Sequence, residues 1–140
     1  MIGVELTPAM LACARKRVEQ FGWKNVELIE SDIAAYNYTE AVDAVLSTGV
    51  FGYVAEFDKV IQEAARALVP NGRSVIMDVK SPERWPVWLV KLFAWSGKPF
   101  GVTFDYFENH PWKSVERHFQ ETSFEQMYGG AIYISSGTTP

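Results

Sequence analysis

The first ten residues constrain the fold most, because a short apolar strand ends on an acid and leads at once into a helix. Residues 2–4 form the strand and Glu5 closes it, while Thr7 and Pro8 provide a hydroxyl cap and a first-turn proline. In open α/β sheets an acid at the end of the second strand accepts hydrogen bonds from both hydroxyls of a ribose. A glycine-rich turn precedes such an acid by about 20 residues, but only four residues precede Glu5. The sequence therefore predicts a chain that lacks the first strand and glycine loop of such a sheet.

Composition and charge limit the classes of partner and compartment. The chain has 140 residues, 48% of them hydrophobic, which is enough for one domain with a core. The net charge of −4, without clustered Lys or Arg, argues against a nucleic-acid partner, because phosphate binding needs a basic surface. The one cysteine, Cys13, is predicted to be a buried helical thiol, which fits a reducing cytoplasm. No apolar run reaches the roughly 18 residues that a membrane span needs.

Strand-like and helical segments alternate over the first 80 residues, which predicts right-handed crossovers and a parallel sheet. After the first strand and its helix, which ends near Gly22, we expect strands at 26–30, 42–47 and 74–79 and an amphipathic helix at 56–69. Pro70-Asn71-Gly72 ends that helix. Later, helical turns are expected at 112–119 and an antiparallel strand pair at 120–126 and 131–135.

Four motifs occur in a specific order: V-E-L-T-P-A-M-L, E-S-D-I, V-D-A-V-L-S and R-A-L-V-P-N-G-R-S-V-I-M-D. Together they resemble the class I S-adenosylmethionine-dependent methyltransferases over about residues 1–80. The resemblance implies an α/β, Rossmann-like sheet in the family order 3-2-1-4-5-7-6, mostly parallel with a closing antiparallel pair, and here without its first strand. It also implies S-adenosylmethionine as cofactor and methyl transfer as activity.

The resemblance assigns cofactor contacts to the ends of three strands. Glu5 would bind the ribose and Asp32 the adenine amino group, with Leu6 and Ile33 beside the adenine ring. The loop after the family's fourth strand would pass beside the methionine part of the cofactor and the methyl acceptor, and it contains Ser47, Thr48, Gly49 and the substrate candidate Phe51. From the residues alone, Glu5 and Asp32 have an alternative role as helix caps or solvated loop acids.

Three further side chains are candidates on the acceptor side. Asp78 ends a strand, either as a substrate contact or as a structural hydrogen-bonding group. His110 and Tyr106 share the segment F-D-Y-F-E-N-H-P-W and are the catalytic candidates, since a general base matters where the acceptor must lose a proton. His118 is predicted to be solvated. No Cys/His cluster has metal-ligand spacing, so no metal site is predicted.

The segment W-P-V-W-L-V-K-L-F-A-W is rich in aromatic residues and carries one charge. It is predicted either to cap the sheet as core or to form a lid in which Trp85 and Trp88 meet an amphiphilic acceptor or a membrane surface. We interpret 82–119 as a substrate-side insertion within a single, partial domain over 1–140. This half is similar to methyltransferases that act on quinone precursors and phospholipid amines, which implies a small hydrophobic or amphiphilic substrate and a cytoplasmic protein with peripheral membrane contact.

Two rival interpretations stay open at this point. A nucleotide-cofactor dehydrogenase shares the acid after the second strand, but Asp32, the Pro70-Asn71-Gly72 turn and the closing strand pair favour a methyltransferase. A non-catalytic fragment or partner domain is the other rival. Without the central first strand, two sheet edges lack partners, which predicts impaired activity and self-association through those edges.

Overall fold

The computed structural model describes residues 1–38, 41–97 and 109–140, apart from the side chain of Phe93. Contacts divide the chain into two compact units, Met1–Asn37 and Tyr38–Pro140. The catalytic candidate Tyr106 lies outside the described residues. The single domain over 1–140 and the insertion over 82–119 stay predictions.

The first unit is a parallel strand pair with one crossover helix. Strand β1 (Ile2–Glu5) leads through helix α1 (Pro8–Phe21) to strand β2 (Glu27–Glu30), and a 3₁₀ turn (Ile33–Ala35) follows. Glu5 lies opposite Glu30 in the parallel register, so the two strands end at the same level. Gly22 ends α1 in the left-handed conformation, with φ of 63°, as the sequence predicted.

The prediction of a buried Cys13 thiol is wrong, because Cys13 is exposed. Leu11 is fully buried, and Ala14 and Val18 are half-buried at spacings of three and seven residues. These three residues define the packed face of α1. Cys13 follows Leu11 by two residues, a rotation of about 200° on a helix with 3.6 residues per turn. Its side chain therefore lies on the opposite face.

The second unit contains a four-stranded sheet in the order β3-β4-β6-β5. The pair β3–β4 is parallel, whereas β4–β6 and β6–β5 are antiparallel. The elements in chain order are β3 (Val42–Thr48), α2 (Phe57–Ala67), β4 (Leu68–Val79), α3 (Val87–Gly97), α4 (Pro111–His118), β5 (Gln120–Met127) and β6 (Ile132–Thr138).

These pairings confirm the Rossmann-like fold class. If β1 to β6 are counted as strands 2 to 7 of the family, the observed neighbours are 3-2 and 4-5-7-6, as the family order requires. The closing antiparallel pair is confirmed as well. Within the described residues, β1 pairs only with β2, and β3 pairs only with β4.

The passage from α2 to β4 begins earlier than the sequence predicted. The helix ends at Ala67 rather than Val69, and Leu68 is already extended, with φ of −72° and ψ of 141°. Pro70 disfavours the helical conformation of the residue before it, and Leu68 pairs with Val42 at the start of β3. The prediction that Pro70-Asn71-Gly72 ends the helix is therefore wrong: these residues lie within β4, where Asn71 takes the left-handed conformation with φ of 62°.

The two faces of the second sheet differ in burial. One face packs against α2 and α4 and buries alternate residues of β4 and β6, including Ile76, Asp78, Tyr133 and Ser135. The helices contribute Val60, Ile61, Ala64 and Val115. On the other face, Leu46 is 73% exposed and Met77 is partly exposed. Helix-covered apolar residues thus form the core of this unit on one side of the sheet.

Candidate functional site

The two predicted cofactor acids follow neighbouring strands of the first unit. Glu5 ends β1, and Asp32 comes two residues after the end of the parallel strand β2. The backbone N–H of Ser31 also donates to the carbonyl of Glu5 at 3.2 Å. Ligands of such sheets bind at the carboxyl ends of the strands. Both acids therefore lie where a ligand is expected to bind.

Each acid also performs the local structural role that the sequence left open. One oxygen of Glu5, Oε1, accepts the Thr7 N–H at 2.7 Å. Asp32 Oδ1 accepts the Ala34 N–H at 2.9 Å and caps the 3₁₀ turn. A carboxylate has two oxygens and about four lone-pair sites. Capping therefore orients each side chain and leaves acceptor capacity for a ligand hydroxyl or amino group.

The two apolar candidates stand beside these acids in the chain. Leu6 directly follows Glu5 and is 61% exposed, while Ile33 directly follows Asp32 and is half-buried. An exposed leucine after a strand end provides an apolar surface for a flat ring. Their contact with adenine stays a prediction.

The C-terminal end of β3 and the glycine that follows it contain two residues that fit a ligand site. The Ser47 hydroxyl is buried and has no hydrogen-bond partner within the part of the chain that the structure describes. Buried polar groups are nearly always hydrogen-bonded, so this hydroxyl is available to a bound molecule. Gly49 donates its N–H to the Met77 carbonyl at 2.9 Å and has φ of 64°, a conformation that favours glycine. Thr48 between them is exposed.

The backbone of Phe51 is held from both sides. Asp78 Oδ2 accepts the Phe51 N–H at 2.8 Å, and the Asn109 Nδ2 donates to the Phe51 carbonyl at 3.1 Å. The other Asp78 oxygen accepts the Val79 N–H at 2.7 Å. Phe51 and Asp78 are both buried. The structure thus brings two predicted substrate residues together, and it shows Asp78 as a group that orders the loop after β3.

A cluster of aromatic rings lies next to Asp78. The Trp112 ring contacts His110, Phe124 and Tyr133, with ring centroids 4.8, 5.4 and 4.9 Å apart. Tyr133 lies directly opposite Asp78 in the antiparallel pair β4–β6. We call Trp112, Phe124 and Tyr133 the aromatic cluster. His110, the exposed residue before α4, contacts the Trp112 ring of this cluster.

Electrostatics at the aromatic cluster keep Tyr133 protonated. Its side chain is 1% exposed, and its hydroxyl has no hydrogen-bond partner among the described residues. Burial, and next the negative charge of Asp78, raise the pKa of Tyr133. Lys80 is buried as well, with its ammonium 2.6 Å from Glu83 and 5.6 Å from the centre of the Trp112 ring. The aromatic cluster therefore provides apolar surface and a protonated hydroxyl, and the cation of Lys80 lies beside it.

Five of these residues were not predicted from the sequence: Lys80, Asn109, Trp112, Phe124 and Tyr133. Asn109 and Trp112 flank the predicted His110 in the same segment, so their proximity was a usable signal. Tyr133 is 55 positions from Asp78 and becomes its neighbour only through strand pairing. Pairing of β4 with β6 was not predicted residue by residue.

The two predicted tryptophans of the aromatic segment have different surroundings. Trp85 is half-buried near Gly129, where an added Cβ would lie 3.0 Å from the indole nitrogen. Trp88 in α3 is 66% exposed. Leu92 and Trp95 lie on the same helical stripe and are exposed as well. An apolar stripe of α3 thus faces outward, as a lid would and a core helix would not.

Within residues 1–38, 41–97 and 109–140, no helix is both long and apolar enough to cross a bilayer. No group of three or more His, Cys, Asp or Glu side chains there is arranged to hold a metal ion.

Comparisons with known proteins identify the family of the chain. A family model described as "Methyltransferase domain" matches residues 1–124. Demethylmenaquinone methyltransferase of Thermus thermophilus is 33% identical over 91 residues, which are 64% of this chain and 41% of that protein. Arsenite methyltransferase of Halobacterium salinarum is 33% identical over 87 residues, 61% of this chain and 22% of that protein. The chain thus spans less than half the length of these curated relatives.

Among solved structures, phosphoethanolamine N-methyltransferase 2 of Haemonchus contortus, in complex with S-adenosyl-L-methionine, has the same fold. The TM-score is 0.76 at 15% identity, and the match covers 99% of this chain and 43% of the other. The strand order, the acids at the strand ends and the family match over most of the chain lead to one conclusion. The chain belongs to the class I methyltransferases, the family whose cofactor is S-adenosylmethionine.

Proposed function

We propose that the protein containing this domain transfers the methyl group of S-adenosylmethionine to a small hydrophobic or amphiphilic acceptor. The observation that carries this proposal is the aromatic cluster beside Asp78 and the anchored Phe51 loop. Aromatic rings at the carboxyl ends of the central strands favour a flat, apolar acceptor.

The cofactor is assigned to the strand ends. Glu5 holds the ribose hydroxyls and Asp32 the adenine amino group, while Leu6 and Ile33 flank the ring. Support comes from the position of both acids at the carboxyl ends of β1 and β2. The methionine part is assigned to the end of β3 and the glycine after it. There the buried Ser47 hydroxyl has no partner among the described residues, and Thr48 and Gly49 follow.

The chemistry asks little of the protein beyond orientation. The cofactor supplies a methyl group on a sulfonium, which is already a strong electrophile. Holding the acceptor in line with that methyl group contributes roughly 7 to 11 kcal/mol in favourable cases. The anchored Phe51 and the aromatic cluster are assigned this orienting role.

A proton acceptor is needed where the methylated atom carries a proton. We assign this role to His110, which is exposed, precedes α4 and contacts Trp112. Asp78 is less suited, because both of its oxygens already accept backbone N–H groups. Tyr106 keeps its proposed catalytic role on sequence grounds alone.

Two acceptor classes follow from the sequence, quinone precursors and lipid amines. The name of the Thermus relative, demethylmenaquinone methyltransferase, supports the first class. The aromatic cluster supports it too, because a quinone precursor offers a ring that stacks. The Haemonchus structure, a phosphoethanolamine methyltransferase, supports the second class less, since its likeness is one of fold.

The outward stripe of α3 is proposed as the place where the apolar part of the acceptor, or the membrane that contains it, makes contact. Trp88, Leu92 and Trp95 are exposed along it, and Lys91 supplies a positive charge beside them. Tryptophan and a basic residue are favoured at the membrane interface. A cytoplasmic protein with peripheral membrane contact fits this surface.

The test is a methyl-transfer assay with S-adenosylmethionine labelled in its methyl group. The acceptors are a demethylated naphthoquinol, phosphatidylethanolamine in vesicles and phosphoethanolamine, each presented to the 140-residue chain and to any longer product of its gene. Labelled, methylated naphthoquinol is expected as the product. Label in the amine headgroup alone would overturn the quinone assignment. No label in any acceptor, together with no S-adenosylmethionine binding by calorimetry, would favour the non-catalytic partner domain.

A further inference from the structure

Helix α4 is joined to residues 51–58 at two separate points. At its N-terminal side, the Asn109 amide donates to the carbonyls of Phe51 at 3.1 Å and Val54 at 3.5 Å. At its C-terminal half, three side chains bind one oxygen of Asp58 in the first turn of α2. The helix therefore bridges the acceptor-side loop and the start of α2.

The contacts at Asp58 come from Ser114, Arg117 and His118. Ser114 donates its hydroxyl to Asp58 Oδ1, the Arg117 Nη2 lies 2.8 Å from the same oxygen, and the His118 Nε2 lies 3.2 Å from it. We call these three residues the α4 latch. The prediction of a solvated His118 is wrong, because its side chain is only 21% exposed. It shares a helical face with Ser114, four residues earlier, which is fully buried.

The charge state of Asp58 reflects these bonds. The Ser114 hydrogen bond lowers the pKa of Asp58 most, partial desolvation opposes it, and His118 and Arg117 lower it further. The carboxylate form is thus the form that the α4 latch holds. Its Oδ1 accepts from all three residues of the latch, so loss of this one group removes three side-chain bonds between α4 and α2 at once.

We propose that Asp58 is a positioning residue for the acceptor site. By holding the α4 latch, it fixes the helix that presents Asn109, His110 and Trp112 to the Phe51 loop. The inference rests on the proposed function for its meaning in catalysis, but the mechanical link from Asp58 to the Phe51 loop stands on the hydrogen bonds alone.

A second acid on α2 provides the matched control. Glu63 pairs with Arg66 at 2.7 Å on the same helix. Both partners belong to α2, so this pair does not join α2 to α4. Glu63→Gln therefore removes one carboxylate from α2 and leaves the α4 latch intact.

The test is a double-mutant cycle measured by amide hydrogen exchange of the Phe51 N–H. This N–H is bound to the buried Asp78, and the carbonyl of the same residue accepts from Asn109, so the exchange rate of the N–H reports how firmly the loop is held. We expect Asp58→Ala and Asn109→Ala each to accelerate this exchange about tenfold, as loss of one or two hydrogen bonds implies. The double variant should exchange no faster than Asn109→Ala, because both changes break one connection.

Further variants distinguish a positioning role of Asp58 from a general loss of stability. Glu63→Gln should leave the Phe51 exchange rate unchanged, and Asp58→Asn, which keeps an oxygen for Ser114, should give an intermediate rate. If Asp58→Ala does not fold by circular dichroism, the Asp58→Asn cycle carries the test. Unchanged Phe51 exchange in the Asp58 variants, or strictly additive effects in the double variant, would overturn the proposal. The readout needs neither cofactor nor acceptor, so failure of the proposed activity would leave it unaffected.

Discussion

At the scale of the residue, the location of Glu5 and Asp32 beside the ends of β1 and β2 was predictable from the local sequence. An acid directly after a parallel strand lies at the ligand edge of the sheet whatever the rest of the fold does. Asp78 was also found in this way, but its two backbone bonds were not, since Phe51 lies 27 positions away and reaches it only in the folded chain. Tyr133 escaped prediction for the same reason.

One prediction at this scale compares the two acids. Glu5→Ala should weaken S-adenosylmethionine binding more than Asp32→Ala, because Glu5 would hold two hydroxyls by charge-assisted bonds of about 1.5 to 3 kcal/mol each. Asp32 would hold a single amino group. Calorimetric titration of each variant measures the difference.

Glu30 supplies the control for that comparison. It lies opposite Glu5 at the end of β2 and is exposed, so Glu30→Ala makes the same change of charge without touching the ribose assignment. Its affinity for the cofactor should equal that of the unchanged chain. An unaltered affinity in Glu5→Ala would refute the ribose role.

At the scale of the element, the helices and strands were largely predictable because periodicity and turn residues determine them locally. The burial of individual residues in these elements was less predictable. The apolar residues of α1 surround more of the helix than its partner covers, which is why Cys13 is exposed. The end of α2 moved because Leu68 gains a strand partner in Val42, a contact that local sequence does not show.

The outward stripe of α3 yields a prediction about lipid. Trp88→Ser combined with Trp95→Ser should reduce binding to anionic vesicles or acceptor turnover while the melting temperature stays nearly constant, since both side chains are exposed. Vesicle co-sedimentation and thermal unfolding measure the two effects. A large loss of stability would instead show a core role, because truncation of a core tryptophan costs roughly 3 to 5 kcal/mol.

The link between α2 and α4 predicts a dependence of stability on pH. The pKa of Asp58 is lowered in the folded chain from its ordinary 3.8, so its contribution is present above that value and is lost as the pH falls through the lower, folded pKa. Urea unfolding between pH 6 and about 2 should therefore show a smaller acid loss in Asp58→Asn than in the unchanged chain. If the free energy of unfolding falls equally with acid in the two proteins, the bonds between Asp58 and the α4 latch are contradicted.

At the scale of the whole molecule, the edge strands have consequences for association. Within the described residues, β1, β2, β3 and β5 each have one strand neighbour, and Leu46 on β3 is highly exposed. Unpaired strand edges favour pairing with another chain. We expect the 140-residue chain to self-associate as its concentration rises.

Leu46→Lys tests this expectation, because a lysine on an edge strand opposes pairing. Sedimentation velocity should show less association with little change in melting temperature. Leu92→Lys on α3 is the control, since it also replaces an exposed leucine but lies away from the strand edge. If both variants reduce association equally, general surface hydrophobicity rather than the edge is responsible.

The most consequential proposal is that S-adenosylmethionine binds at the carboxyl ends of β1 and β2. The most direct measurement is titration of the ¹⁵N-labelled chain with S-adenosylmethionine while backbone amide shifts are followed by NMR, which detects weak binding as well as tight binding. We expect saturable shifts at Glu5 and Leu6 and at Asp32 and Ile33. Saturable shifts elsewhere, with these residues unmoved, would contradict the proposal.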